Sequence, residues 1–231
     1  MKIFAISDLH LTTTEDKPMD IFGMSWVGHF DKIKKDWADK VSQDDVVLIA
    51  GDISWAMSAQ NALLDLIEID KLPGKKIMIR GNHDYWWPSY KKLISMPLNT
   101  TYFIQNNAIK LGNYIFCGTR GWTVPEGEKQ SAEDKKIYDR EVIRLKLTLE
   151  EGKKLYKEGD IIIVMMHYPP FNSRFDNSLL TELIALYNVD KVIYGHLHGD
   201  SGRYKAVVNK GNTDYYLTSC DFLRNSLLRV Y

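Results

Sequence analysis

The chain reads as an α/β protein with mixed sheets, and three observations lead there. Five short runs rich in Ile and Val (2–6, 46–50, 76–79, 161–166 and 191–194) each end in a polar cluster. Amphipathic helical patterns separate most of them. Two stretches, 101–118 and 203–231, break the alternation with short strand-like pieces and turn signals. Apolar runs of this length are the mark of buried, mostly parallel strands, and strand alternating with helix implies βαβ units.

The helical segments follow from spacing and caps. Residues 30–41 carry Ile33, Trp37 and Val41 at four-residue spacing. Residues 58–70 open at Ser58, a good N-cap, and carry Leu63, Leu66, Ile67 and Ile69. Residues 131–151 open with Ser131 and Asp134, a capping-box variant, and carry Tyr138, Val142, Leu145 and Leu149 on one stripe. Residues 178–187 carry Leu179, Leu180, Leu183, Ile184 and Leu186. Within 101–118, Asn106-Asn107 and Gly112-Asn113 punctuate short strands. Three more strands fill 203–231, with turns at 209–212 and 221–225. Both stretches are expected to add antiparallel strands at sheet edges. No Pro/Gly/Ser linker divides the chain, so one domain over 1–231 is expected.

Composition narrows the function classes. The 231 residues are 45% hydrophobic, enough for a core without disulfide staples. Lys+Arg and Asp+Glu are both 30, so no net field steers the chain onto nucleic acid, which is an unlikely partner. Cys117 and Cys220 are expected as reduced thiols acting as small buried hydrophobes in a cytoplasmic protein. The first apolar stretch stops at Ile6, too short for a signal peptide, and no window approaches ~18 consecutive apolar residues. Oligomeric state is left open.

The chemistry lies just past the strand ends. In open α/β sheets, ligands bind beyond the carboxyl ends. Those ends would gather Asp8, His10, Asp52, Asn82, His83, Asp84, His167, His196 and His198, which include five of the six histidines. Asp8-Leu9-His10 and His196-Leu197-His198 use i, i+2 spacing, which on an extended backbone puts both side chains on one side. Oxygen and imidazole ligands without thiolate suit Mn²⁺, Fe or Zn²⁺. Seven or eight such ligands exceed the needs of one ion, and two ions ~4 Å apart would use them.

The order Asp-x-His, Gly-Asp, Gly-Asn-His-Asp, His, Gly-His-x-His resembles the calcineurin-like metallophosphoesterase superfamily, with all five blocks present between residues 8 and 198. The resemblance implies a four-layer α/β/β/α sandwich and two divalent metal ions. It implies that Asp8, His10 and His198 bind the first metal, that Asn82, His167 and His196 bind the second, and that Asp52 bridges both. His83 is then the catalytic histidine, with Asp84 holding its tautomer. A metal-bridging hydroxide would attack phosphorus in line, and His83 would protonate the leaving oxygen.

The substrate class is bounded by departures from the family. Gly51-Asp52 continues as Ile53-Ser54-Trp55 and not into a Val-Asp-Arg-Gly-like stretch, which argues against a protein phosphatase. A small phosphomonoester or phosphodiester remains. Tyr168-Pro169-Pro170 resembles the histidine block of the cyclic-nucleotide phosphodiesterase branch. The other class is a non-catalytic binding or scaffold protein of the same fold, against which the intact His83 and metal positions stand. Arg120, at the end of a strand-like run, suits a substrate phosphate or carboxylate or a salt-bridged turn. His29 is read as a helix-start histidine or, with Trp26, as part of a lid formed by 11–30. The segment 119–157 is a second candidate cap. Trp86 and Trp87 are expected in the core.

Overall fold

The computed structural model describes residues 1–126, 131–199, 202 and 204–231. The strands are β1 (Ile3–Ile6), β2 (Val46–Ile49), β3 (Lys75–Met78), β4 (Thr101–Phe103), β5 (Ile109–Leu111), β6 (Tyr114–Thr119), β7 (Ile161–Met166), β8 (Lys191–Tyr194), β9 (Val207–Lys210), β10 (Thr213–Leu217) and β11 (Leu228–Arg229). The helices are α1 (His29–Lys40), α2 (Ala59–Asp70), the short α3 (Tyr90–Leu93), α4 (Ala132–Leu155) and α5 (Leu179–Leu186). The first sheet has the order β11-β1-β2-β3-β4 and the second β5-β6-β7-β8-β10-β9.

Strand periodicity builds the layers. Successive side chains leave opposite faces of a strand. Ile3, Ala5, Val46, Leu48 and Ile77 of the first sheet pack with Phe116, Ile163, Met165 and Ile193 of the second in one core. Phe4, Ile6, Val47 and Ile49 face the other way, onto Ile33 and Trp37 of α1 and Leu66 and Ile69 of α2. Val164, Met166, Val192 and Tyr194 meet Leu145 and Leu149 of α4 and Leu180 and Ile184 of α5. Helix, sheet, sheet and helix therefore form four layers with mixed strand directions, as the motif order implied. Because both sheets are covered, the central strands read as unbroken apolar runs.

Both expected caps form, Ser58 accepting from the Asn61 N–H and Ser131 from the Asp134 N–H. Ser178 and Thr181 add a reciprocal capping box at the start of α5. The helix α4 runs four residues past the expected end. It packs on β6 and β5 as an outer layer, while 127–130 of the candidate cap 119–157 lie outside the described residues.

The strand directions need correction. The pieces of 101–118 and 203–231 are not simply antiparallel edges. Strand β4 runs parallel to β3, β6 parallel to β7, and β10 parallel to β8. Among the described residues only β5, β9 and β11 are added antiparallel. The Asn106-Asn107 signal marks a crossing from one sheet to the other, not a hairpin. Ile115, Phe116 and Cys117 are fully buried, as an interior parallel strand requires. Both cysteines are free and buried, and Trp86 and Trp87 sit in the core. Among the described residues no helix is long and apolar enough to cross a membrane.

Candidate metal centre

The two sheets meet at their carboxyl ends, and that junction makes the site. The Ser7 N–H donates to Thr218 O (2.8 Å) and the Cys220 N–H to Ser7 O (3.0 Å), joining the end of β1 to the end of β10. The Asp8 N–H donates to Gly51 O and the His10 N–H to Asp52 O, both at 3.0 Å, laying the first two polar loops side by side. The i, i+2 expectation has the right residues and the wrong backbone. Asp8, His10, Asp52 and His196 have φ of 59°, 46°, 51° and 71°, all left-handed and not extended. A tight turn, held by these cross-loop bonds, aims the side chains inward.

Two glycines explain why the motifs are written with Gly. A Cβ on Gly81 would lie 2.1 Å from Asp52 Oδ1, and one on Gly195 would lie 2.4 Å from Asp8 Oδ2. Each carboxylate rests directly against a glycine of the facing loop, where a side chain would otherwise stand.

Seven predicted ligand residues converge. Asp52 Oδ2 lies 3.6 Å from His10 Nε2 and 3.4 Å from His167 Nε2. Asp8 Oδ1 lies 3.6 Å from His198 Nε2 and 3.9 Å from His167 Nδ1. Asn82 Oδ1 is 2.6 Å from His167 Nε2 and 3.0 Å from His196 Nδ1. Two groups with metal-ligating geometry result, Asp8/His10/His198 and Asp8/Asp52/His167. The surrounding polar groups orient the ligands. His167 Nδ1 sits 3.0 Å from the Ala50 carbonyl, which leaves Nε2 facing the cluster. His198 Nδ1 sits 3.0 Å from Asp221 Oδ1, whose other oxygen accepts from the Gly199 N–H. Asp8 accepts from Ser7 Oγ and from the His196 N–H.

The electrostatics fit divalent cations. Burial, then the Asp8 and Asp84 charges, push Asp52 well above the usual carboxylate range. Burial lowers His10 strongly, and it lowers His167 to about 4 and His196 to about 3. Burial also opposes charge on His198, but the Asp221 hydrogen bond and Asp8 outweigh it, so its pKa rises. Neutral imidazoles are the form that ligates metal. Among the described residues Asp52 Oδ2 is buried without a hydrogen-bond partner, as is His10 Nδ1. An unpaired buried carboxylate oxygen among imidazole nitrogens fits a cation and little else.

Four other predicted residues land differently. His83 lies beside the cluster, its ring centroid 4.4 Å from Trp55 and 5.7 Å from His10, and its N–H donates to Asp52 Oδ1 at 2.8 Å. Asp84 does not hold the His83 ring, whose Nδ1 has no hydrogen-bond partner. The Asp84 carboxylate instead accepts from the N–H groups of Ile53, Ser54 and Gly81 and from Trp86 Nε1. Its acceptor positions are spent clamping the two loops together. His29 does not face the cluster with a free nitrogen either. Its ring nitrogens lie 3.1 Å from Trp26 O and 2.8 Å from Leu9 O, strapping the 11–30 segment down. That segment contains two short 3₁₀ turns, at Met19–Phe22 and Met24–Trp26. Trp26 is the member that reaches the ligands, with ring centroids 5.8 Å from His10 and 5.6 Å from His198. Arg120 lies over the Trp122 ring, with Nη2 3.6 Å from Glu141 Oε1.

Sequence reasoning missed Trp55 and Asp221 as supports, whereas Tyr168 belongs to the Tyr168-Pro169-Pro170 block that the sequence already marks beside His167. Trp55 stacks on His10 at 4.9 Å, and the Tyr168 ring lies tilted against His196 at 4.1 Å. Asp221 was readable in principle, because it follows the carboxyl end of β10 just as the ligands follow theirs.

Comparison with known proteins agrees with this geometry. The family model described as calcineurin-like phosphoesterase matches residues 1–200. The 3′,5′-cyclic adenosine monophosphate phosphodiesterase CpdA of Haemophilus influenzae is 23% identical over 210 residues, covering 86% of this chain and 70% of that protein. Among solved structures, TT1561 of Thermus thermophilus matches with a TM-score of 0.60 at 13% identity, over 98% of this chain and 96% of that one. The protein of unknown function AQ665 from Aquifex aeolicus matches at 0.51 and 14% identity, over 99% and 95%. These two share the fold. With the family motifs gathered at one junction of the sheets, the chain belongs to the calcineurin-like phosphoesterase family and is a metal-dependent phosphoesterase.

Proposed function

We propose that the chain hydrolyses a small phosphoester at a centre for two divalent cations. Asp8, His10 and His198 would hold one, Asn82, His167 and His196 the other, and Asp52 would bridge them. The observation that carries this is the placement of Asp52 Oδ2, unpartnered and buried, within 3.6 Å of His10 Nε2 and 3.4 Å of His167 Nε2. When bound, such ions supply a nucleophile at neutral pH and neutralise charge on phosphoryl oxygens. The chain's own residues do the rest. The backbone turns at Asp8, Asp52 and His196 fix the ligands before substrate arrives. Trp26 and Trp55 wall off water beside His10.

His83 takes the role of proton donor to the leaving oxygen. Burial and the neighbouring His198 hold its pKa down, and an arriving phosphate, being anionic, raises it. With Nδ1 unpaired, the ring is free to deliver a proton from the nitrogen that meets the leaving group. A cavity of about 910 Å³ opens beside His196, lined by Val124, Tyr168, Phe171, Phe175 and Tyr204. Its size and apolar walls suit the organic part of a phosphoester. The similarity to a cyclic-nucleotide phosphodiesterase supports a nucleotide-sized group there.

The test is turnover of p-nitrophenyl phosphate and bis(p-nitrophenyl) phosphate after loading with Mn²⁺, Fe²⁺, Zn²⁺ or Ni²⁺, with elemental analysis. Two equivalents of metal and hydrolysis of at least one ester are expected. The variant His83→Ala should keep both metals and lose ~10²–10⁴-fold on an alkyl ester, whose leaving group needs a proton. One equivalent of metal in an active enzyme, or full activity of His83→Ala on that ester, would refute the assignment.

A further inference from the structure

Beyond the carboxyl ends of β3, β4 and β6 lies a second, smaller cavity of about 110 Å³, where roughly 10–15 Å³ holds one water. Three guanidinium groups line it. Arg80 follows β3, Arg120 follows β6, and Arg144 comes from α4. Among the described lining residues the single carboxylate is Glu141, fully buried. That carboxylate is already occupied. Its Oε2 accepts from Thr119 Oγ1 (2.6 Å) and the Gly121 N–H (3.1 Å), and its Oε1 pairs with Arg144 Nη1 (2.5 Å) and lies 3.6 Å from Arg120 Nη2. One negative charge thus faces three permanent positive ones.

Two of the donors lack acceptors. The Nε atoms of both Arg80 and Arg120 are buried and have no hydrogen-bond partner among the described residues. Buried N–H groups on a guanidinium are satisfied in nearly all folded proteins, so their state here calls for a ligand. Burial presses against the Arg120 charge, Glu141 supports it, and Arg80 and Arg144 oppose it, with a net downward shift of its pKa. A stack of Arg120 on Trp122, 4.8 Å to the ring centroid, holds the fork in place.

We propose that Arg80, Arg120 and Arg144 form a binding site for a tetrahedral oxyanion of the phosphate type, separate from the Asp/His cluster. The site borders that cluster. Arg80 stands two residues before Asn82, and the Arg120 carbonyl accepts from the N–H groups of His167 (3.0 Å) and Tyr168 (2.9 Å). Its occupant is a phosphate group that is not the one being cleaved, either a second phosphate on the substrate or free phosphate. The first source rests on the phosphohydrolase reading above, and the binding itself does not.

The experiment titrates sodium sulfate into the metal-loaded full chain by calorimetry, with ionic strength held by sodium chloride. A saturable site is expected, ~10-fold weaker in Arg144→Gln. Glu141→Gln should bind sulfate more tightly than the native protein, because it unmasks charge. A cluster that served only to hold α4 on β6 would show no such gain. No saturable sulfate binding over chloride, or equal affinity in the native protein and Arg144→Gln, overturns the proposal. The source is read from inhibition of p-nitrophenyl phosphate hydrolysis by AMP and by adenosine 3′,5′-bisphosphate. A bisphosphate advantage lost in Arg144→Gln assigns the site to a substrate phosphate, and no advantage with intact sulfate binding assigns it to free phosphate. Absence of any turnover sinks the hydrolase reading alone, since the sulfate isotherm is independent of it.

Discussion

Gly81→Ala isolates the geometry of the centre from its chemistry. Gly81 is not among the residues with positive φ, so alanine meets no backbone penalty there. Only the new methyl matters. It would sit 2.1 Å from Asp52 Oδ1, 2.2 Å from Asp52 N and 2.8 Å from Asp52 Cγ. Ordinary contact needs about 3.5 Å, so the two loops must part by more than ~1 Å. They have little slack. The Gly81 N–H is tied to Asp84 Oδ2 at 2.7 Å, and Asp52 Oδ1 accepts from the His83 N–H at 2.8 Å. A misplacement of ~1 Å at a reacting centre costs on the order of 10²-fold in rate. The expected outcome is a folded protein with a reduced metal content and kcat/KM on p-nitrophenyl phosphate down ~10²-fold or more. Elemental analysis, steady-state kinetics and thermal melting read the three quantities. Gly159→Ala is the matched control. Its Cβ meets nothing within 4 Å, while its φ of +86° carries strain, so it should lose ~1 kcal/mol of stability and keep its metals. Native metal content and activity in Gly81→Ala would refute the claim that the missing side chain of Gly81 positions Asp52.

Two further outcomes are expected. Burial lowers the His167 pKa to about 4 and the His196 pKa to about 3, from 6.5. The unfolded chain therefore takes up protons near pH 6.5 that these two imidazoles refuse in the fold, so their contribution to the cation-free protein is full above that pH and is lost as pH falls towards 4, while the raised Asp52 and His198 act in the opposite direction. His167 alone accounts for ~3 kcal/mol, and a His167→Gln protein whose urea midpoint changes between pH 7.5 and 5 just as the native protein's does would contradict this. Asp84→Asn leaves one carbonyl oxygen for four donors and turns an NH₂ group towards the others. A loss of ~2–4 kcal/mol is expected. Because Asp84 does not touch the His83 ring, the alkaline limb of the pH–rate profile, where a proton donor loses its proton, should stay in place, and a shifted limb would restore the tautomer-holding role.

The strand ends were legible because chemistry interrupts hydrophobicity there. Each Ile/Val run stops where a side chain must leave the core for the junction, so Asp8, Asp52, Asn82, His167 and His196 announce themselves one or more residues after a run. Two helix starts were legible from single side chains, since Ser58 and Ser131 each accept from an N–H of the first turn. Strand direction was not legible at 101–118. Asn106 has φ of 65°, as a hairpin residue would, yet the chain uses it to change sheets. Local turn chemistry permits both, and the choice is made by Phe116 and Ile163 packing across the sheets. The role of Asp84 was misread for a related reason. Adjacency to His83 in sequence suggested contact, whereas the tight turn points the carboxylate backwards to the amides of Ile53 and Ser54.

The same turns show why this junction costs the fold something it does not recover internally. Four non-glycine residues at the centre hold left-handed backbone, each at roughly 1–3 kcal/mol. Asp52 is buried against two other carboxylates, and His10, His167 and His196 are dried out in their neutral forms. None of this helps the sheets pack. The cores on either side of each sheet are continuous without it, and Thr218 and Ser7 could join the sheet ends with ordinary side chains at positions 8 and 52. The strain persists because the surrounding hydrogen bonds over-determine it, from the Asp8 and His10 amides to the four donors on Asp84. A ligand set rigid before its cations arrive has less to reorganise when they bind. The cost in the cation-free fold and the readiness of the centre are therefore two readings of one arrangement. A variant that relaxes the turns should gain stability only by losing that readiness.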